Sequence, residues 1–150
     1  MDLNTKGRYA VMAMADLARH GGDAAVPLTD IAERQHISLA YLEQLFQKLR
    51  RAGIVESARG RLGGYRLARS MADITVGEVM AAVEEPVVMT RCQGQAATGC
   101  VAGDRCLTHH LWEALGDHIA GFLGSITLKD VLDGRLGHEA PPVALGAAAE

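Results

Sequence analysis

The stretch Ile37-Ser38-Leu39-Ala40-Tyr41-Leu42-Glu43-Gln44-Leu45-Phe46-Gln47-Lys48-Leu49-Arg50-Arg51-Ala52-Gly53 decides the fold. Leu39, Leu42, Leu45, Phe46 and Leu49 recur at intervals of 3, 3, 1 and 3, which places them on one narrow stripe of a helix over residues 39–52. Ser38 supplies the side-chain oxygen that caps such a helix, and Gly53 ends it. The other face is Ala40, Tyr41, Glu43, Gln44, Gln47, Lys48 and Arg51. Upstream, Pro27-Leu28-Thr29 opens a short helix through Ile31 and Ala32 to His36, and Ile37-Ser38 makes a tight turn between the two. A first helix starts at Thr5 and runs to about His20, striped by Ala10, Ala13, Met14, Leu17 and Ala18 and stopped by Gly21-Gly22. Downstream, residues 54–58 and 65–68 read as strands joined by the glycine-rich turn Arg59-Gly60-Arg61-Leu62-Gly63-Gly64.

Three helices, the last two joined by a tight turn, followed by a β-hairpin, spell a winged helix-turn-helix. A helix fits the major groove of DNA, where Tyr41, Gln44, Gln47, Lys48 and Arg51 offer hydrogen bonds to base edges and phosphates. Ser38 and Ala40, at the start of that helix, complete the expected contact surface. Arg59 and Arg61 flank Gly60 at the hairpin tip, where an Arg suits the negative potential of a minor groove. Glu43 is the misfit, since phosphate repels it unless it accepts from a cytosine amine; the alternative is an ordinary surface partner of Gln47 or Lys48. Charge supports the DNA reading. The formal net charge of -3 conceals a split: residues 1–70 hold eleven Lys/Arg against seven Asp/Glu, and residues 71–150 hold four against eleven.

The acidic half has a different organisation. Thr75-Val76-Gly77-Glu78 has capping-box spacing, and Val76, Val79, Met80 and Val83 stripe the helix that follows. Cys92, Cys100, Cys106 and His109 are spaced Cys-x7-Cys-x5-Cys-x2-His in a stretch containing Gly94, Gly99 and Gly103. Thiolates and imidazole bind zinc and iron, and a glycine-rich loop lets the backbone curl so that such ligands converge. Three cysteines form an odd number, which favours a metal or redox site over a disulfide framework. His110 adjoins His109, but helical neighbours point about 100° apart, so only one of them faces the loop. A long helix over residues 107–124 carries Leu111, Leu115, Ile119, Phe122 and Leu123 as an apolar stripe suited to a dimer interface. Residues 127–132 form a last short helix.

These motifs set the expected organisation. Residues 1–70 form the winged helix-turn-helix domain, 71–91 a connecting helix and linker, 92–106 the ligand loop, 107–136 the dimerisation and final helices, and 137–150 a disordered tail. The fold class is mainly α with one small hairpin. With 150 residues and 49% hydrophobic content the chain can build a core without help from a metal, so the cysteine site is functional. No apolar run approaches the roughly 20 residues needed to span a bilayer, and no secretory cleavage site follows the N-terminus, which predicts a cytoplasmic protein without a membrane partner.

Thr5-Lys6-Gly7-Arg8-Tyr9-Ala10, Tyr41-Leu42-Glu43-Gln44-Leu45-Phe46, Arg59-Gly60 with Gly63-Gly64-Tyr65, Thr75-Val76-Gly77-Glu78-Val79 and Cys106-Leu107-Thr108-His109 with Leu111-Trp112 resemble the IscR family of iron-sulfur cluster regulators over about residues 1–136. That resemblance implies a bacterial homodimeric transcription factor that binds operator DNA and controls cluster-assembly genes. It implies a 2Fe-2S cluster, delivered by iron-sulfur assembly proteins and held by Cys92, Cys100, Cys106 and His109. It further implies that the loaded and empty forms prefer different operator classes. The interval from Cys92 to Cys100 is longer than the family's usual one, which leaves open a 4Fe-4S cluster of the kind carried by relatives that respond to nitric oxide or iron; Leu107-Thr108-His109 favours 2Fe-2S. A neutral imidazole ligand is protonated near neutral pH, making the site easier to empty than an all-thiolate one. Two other readings are a DNA-binding protein with structural zinc and an enzyme using a cysteine with His109; the enzyme would leave the basic helix idle.

Overall fold

The computed structural model describes residues 5–61, 63–85, 87–90, 92, 99–101 and 104–137. The tail beyond Gly137, Leu62 of the hairpin turn and most of the stretch between Cys92 and Cys106 lie outside the described residues. Among them the elements run α1 (Thr5–His20), α2 (Leu28–Gln35), α3 (Leu39–Arg51), β1 (Val55–Ala58), β2 (Gly64–Leu67), α4 (Val76–Ala82), α5 (His109–Ser125) and α6 (Leu128–Asp133).

Helix α3 forms where its stripe requires. The Ser38 side chain accepts from the Tyr41 N–H as N-cap, and Gly53, at φ 72°, leaves the helix in the left-handed region that suits glycine. Leu42, Leu45, Phe46 and Leu49 are buried to 2% exposure or less, each contributing about 1.5–3 kcal/mol of burial. Leu39 departs from the stripe: at the first helical position it is 38% exposed. The same core takes Ala10, Ala13, Met14 and Leu17 of α1, Ile31 of α2, Ile54 and Val55 at the start of the hairpin, and Ile74, Val79, Val83 and Leu128 from the second half of the chain.

The hairpin is antiparallel, with Val55 opposite Leu67, Glu56 opposite Arg66, Ser57 opposite Tyr65 and Ala58 opposite Gly64. It is fastened to the body by a backbone bridge: Val26 N–H donates to Tyr65 O at 2.8 Å, and Tyr65 N–H donates to Val26 O at 2.9 Å. Tyr65 then sets its ring edge against Phe46, centroids 4.9 Å apart. Glycine is required beside this bridge, because a Cβ on Gly64 would lie 2.3 Å from Val26 O.

The expected capping box at Thr75 is present, with Thr75 Oγ1 accepting from Glu78 N–H and Glu78 Oε2 from Thr75 N–H. Arg69, just past the hairpin, donates to Glu78 Oε1 at 3.0 Å and so links the hairpin's exit to α4. The junction between α5 and α6 is pinned to the start of α4: Val76 N–H donates to Ile126 O at 2.8 Å and Leu128 N–H to Ile74 O at 2.9 Å. Helix α5 begins at His109, two residues later than the sequence stripe suggests, with exposed Leu107 outside it and Thr108 as N-cap. A second capping box, Thr127 with Asp130, starts α6. No described helix is long and apolar enough to cross a membrane.

Asp16 is the buried charge of the core, 4% exposed, and it joins α1 to α2. Arg34 donates to it through Nε at 3.0 Å and Nη2 at 2.6 Å, and Gln35 Nε2 donates at 2.7 Å. Burial pushes the Asp16 carboxyl upward, but the hydrogen bonds from Arg34 and Gln35 outweigh it and hold the group below its ordinary value. A carboxyl depressed in the folded state stabilises above its unfolded value, and that contribution is lost as the pH falls through the folded one. Asp16→Asn is therefore expected to lower stability by about 1.5–3 kcal/mol near pH 7. The difference from wild type should narrow as the pH falls below about 3.9, the ordinary Asp value. Urea titrations of both proteins across that range check this, and a pH-independent difference contradicts it.

Candidate metal centre and nucleic-acid interface

Cys92, Cys100 and His109 are brought together. Their ligand atoms all lie within 4.8 Å of one another, with His109 Nδ1 3.1 Å from Cys100 Sγ and 3.7 Å from Cys92 Sγ. All three residues are buried. A tight turn presents Cys100: its N–H and that of Val101 both donate to Asp104 O, at 2.8 and 3.1 Å, and Gly99 takes φ 56°. His109 N–H donates to Cys106 O at 3.0 Å, which sets the first turn of α5 against the end of the loop.

Cys106 sits beside this trio rather than within it, half-buried, its Sγ 3.6 Å from Thr108 Oγ1. That hydroxyl contact, helped by the Cys100 thiol, holds the Cys106 thiol below its ordinary value against the opposing effect of burial. For Cys100, a backbone hydrogen bond at Cys106 pulls the thiol down, but burial and the neighbouring Cys92 and Cys106 thiols raise it overall. Neighbouring thiols of this kind suit a cationic soft metal, which stabilises several thiolates at once. The donors that converge, two sulfurs and one imidazole with the Cys106 thiol beside them, have the chemistry of ligands to either a zinc ion or an iron-sulfur cluster.

The structure separates the two adjacent histidines. His109 points inward at 5% exposure, while His110 is exposed. Glu113, which the sequence reading did not single out, stands between them: Oε1 is 3.8 Å from His109 Nε2 and Oε2 is 3.3 Å from His110 Nδ1. A carboxylate on that side places negative charge next to Nε2, the ring nitrogen facing away from the sulfurs. The spacing of four between His109 and Glu113 carries that signal, though only once the inward histidine is known. Val87, Met89, Thr90, Trp112 and Gly116 complete a cleft of about 210 Å³ around Cys92 and His109.

The expected DNA-binding residues divide by exposure. Ala40, Glu43, Gln44, Gln47 and Arg51 are exposed on α3, and Arg59, Gly60 and Arg61 are exposed at the hairpin tip, where Gly60 takes φ 115°. Tyr41 is half-buried, its ring edge against Tyr9 at a centroid distance of 5.9 Å. Ser38 is exposed but its side chain is occupied as N-cap. Glu43 has no side-chain partner among the described residues, and Lys48 pairs with Glu84 of the α4 end instead. On α5, Leu111 is 60% and Phe122 40% exposed, and Leu115 and Ile119 are half-buried. Leu123 packs within its own chain against Val76, Met80 and Ile126.

A helix-turn-helix with a wing, on the same chain as a buried thiol–imidazole centre, defines a DNA-binding transcriptional regulator whose donor set suits a soft metal. The chain belongs to the Rrf2 family of iron-dependent transcriptional regulators, whose family model matches residues 3–134. It is 56% identical over 133 residues to the HTH-type transcriptional regulator IscR of Photorhabdus laumondii, covering 89% of this chain and 80% of that one. Among solved structures, T. potens IscR superimposes with a TM-score of 0.73 at 42% identity, covering 89% of this chain and 88% of the other. CymR (YrzC), the global cysteine regulator of B. subtilis, superimposes with a TM-score of 0.74 at 32% identity, covering 89% and 98%.

The inward His109 and outward His110 give the centre a direct test. When the metal-free protein is titrated anaerobically with Co²⁺, followed by the thiolate-to-cobalt absorption band, His109→Ala should weaken the affinity by more than about ten-fold. His110→Ala should leave it nearly unchanged. A larger effect at His110 would contradict the assignment.

Proposed function

We propose that the chain is a homodimeric sensor of iron-sulfur cluster supply that controls cluster-assembly genes from the cytoplasm. Cys92, Cys100, Cys106 and His109 would hold a 2Fe-2S cluster delivered by iron-sulfur assembly proteins. The observation that carries this reading is the meeting of Cys92, Cys100 and His109 in one buried cleft at the start of α5. When bound, such a cluster supplies an oxidisable, removable cross-link among its ligands.

The chain's own residues account for the remaining steps. Cys100 is held to Asp104 by its backbone N–H, Cys106 precedes α5 and His109 lies on its first turn, so filling the centre would tie the end of the loop to the helix. Leu111 and Phe122, with Trp112 at 41% exposure, leave an apolar face on α5 that a second copy would cover, with Leu115 and Ile119 at its edge. A two-fold dimer of this kind sets two recognition helices about one DNA turn apart, as palindromic operators require. In each copy Gln44, Gln47 and Tyr41 would read base edges, with Ser38 and Ala40 at the helix start against the backbone and Lys48, Arg51, Arg59 and Arg61 on phosphate or in the minor groove. Glu43, unpartnered among the described residues, would accept from cytosine at one operator class and be repelled at another.

Protein isolated without oxygen is expected to be coloured, with about two irons and two sulfides per chain. Alanine at Cys92, Cys100 or Cys106 should each remove the colour while leaving the circular dichroism of the fold intact, because the core is complete without the site. Stoichiometric zinc in a colourless wild type would overturn the sensor reading, and four irons per chain would replace the 2Fe-2S cluster with 4Fe-4S.

On operator DNA, Arg59→Ala and Arg61→Ala are each expected to weaken binding to every sequence and reduce the salt slope by about one unit for each phosphate no longer neutralised. Glu43→Ala should let the cluster-free protein bind the operator class that otherwise needs the cluster, with little change at the other. Titrations of both classes at one salt concentration decide this, and parallel losses at both would make Glu43 an ordinary contact.

A further inference from the structure

Among the cations on α3, Lys48 is distinguished by a carboxylate from elsewhere in the chain: its Nζ donates to Glu84 Oε2. Glu84 lies just past α4, and its position there is specified. Its N–H donates to Ala81 O at 3.0 Å and the next N–H, of Glu85, donates to Met80 O at 3.0 Å, so both close the helix end. Glu84 itself adopts φ 60°, a backbone that glycine or asparagine takes more readily than a residue with a long side chain.

The pair lies at the surface with the acid outermost: the Lys48 side chain is 29% exposed and that of Glu84 73%. The Lys48 hydrogen bond and charge hold the Glu84 carboxyl below the ordinary range, with smaller contributions from Lys6 and Arg51. A cation of α3 thus holds an exposed anion, on the helix whose polar face is the candidate DNA surface. A DNA phosphate is an anion of similar size seeking the same donors. From Glu84 the chain also leads within a few residues to Val87, Met89 and Thr90, which line the cleft of Cys92 and His109.

We propose that Glu84 is an affinity-determining residue for DNA, holding Lys48 in place of a phosphate and yielding it only when the duplex supplies one. This inference rests on the reading of α3 as the DNA-binding helix. Each protomer that binds DNA must exchange one internal ion pair for one phosphate contact, so Glu84 lowers affinity for all sequences alike.

The test is a double-mutant cycle on the full-length, metal-free protein, with a random-sequence duplex of about three helical turns as the probe. Fluorescence anisotropy at several salt concentrations gives the affinity and the salt slope. Glu84→Gln is expected to bind about two- to five-fold tighter than wild type, the range set by losing an exposed ion pair. Glu84→Asn, which suits the left-handed backbone, should do the same. In a Lys48→Ala background Glu84→Gln should have no effect, and Glu85→Gln, which removes the neighbouring carboxylate, should leave wild-type affinity nearly unchanged.

An equal gain from Glu84→Gln with and without Lys48 would overturn the proposal, since it would report only the removal of negative charge near DNA. So would equal affinities for wild type, Glu84→Gln and Glu84→Asn. Both of these outcomes leave the DNA-binding reading standing, whereas a wild type that binds no duplex at any salt concentration overturns both together.

Discussion

Close packing around α1 is the constraint on which the rest of the structure depends. None of its inward residues is β-branched, and two are alanine: Ala10, Ala13, Met14 and Leu17 are all 1% exposed or less, and a Cβ on Gly7 would meet Met80 and Glu85 at 3.2 Å. Small side chains let α2, α3, α4, α6 and β2 all reach this one helix. Because interiors are close-packed, each neighbour's position limits the others. Asp16 adds direction to that packing, since its carboxylate accepts a forked pair of hydrogen bonds from Arg34 only at one rotation of α2.

The same packing makes the two halves of the chain mechanically continuous. Ile74, Val79, Val83 and Leu128 complete the core of the helix-turn-helix, so α4 and α6 are part of the body that presents α3. Helix α5 is held differently at its two ends. Backbone hydrogen bonds to Ile74 and Val76 secure the junction that follows Ser125, whereas at the other end His109 is buried among thiols. Between these ends, Gly116 is its buried residue, covered by Met89. Helix α5 is thus anchored in the core at one end and beside the thiol–imidazole centre at the other, with an exposed apolar face between them.

Legibility in the sequence followed how local the physics was. The stripe of α3, the Ser38 cap, the capping box at Thr75 and the hairpin around Gly60 all depend on residues a few positions apart, and all are present. Leu39 and the start of α5 were less legible, because exposure and helix onset there depend on which distant elements pass nearby. The candidate metal ligands could be named from residue type and spacing. Whether Cys106 stands in the trio or beside it, and which of His109 and His110 faces inward, depended on how the loop returns to α5.

By itself, then, the sequence determined the kind of machinery: a winged helix-turn-helix, a soft-ligand loop and an amphipathic helix, each specified by periodicity, caps and donor chemistry within a short window. Only the tertiary structure decided the connections between them. Lys48 and Glu84 are 36 residues apart, as Asp16 and Arg34 are 18 apart, and no local pattern pairs them. Charged side chains choose partners by distance in space, and that distance is set when the apolar faces of α1, α3 and α4 close on one core.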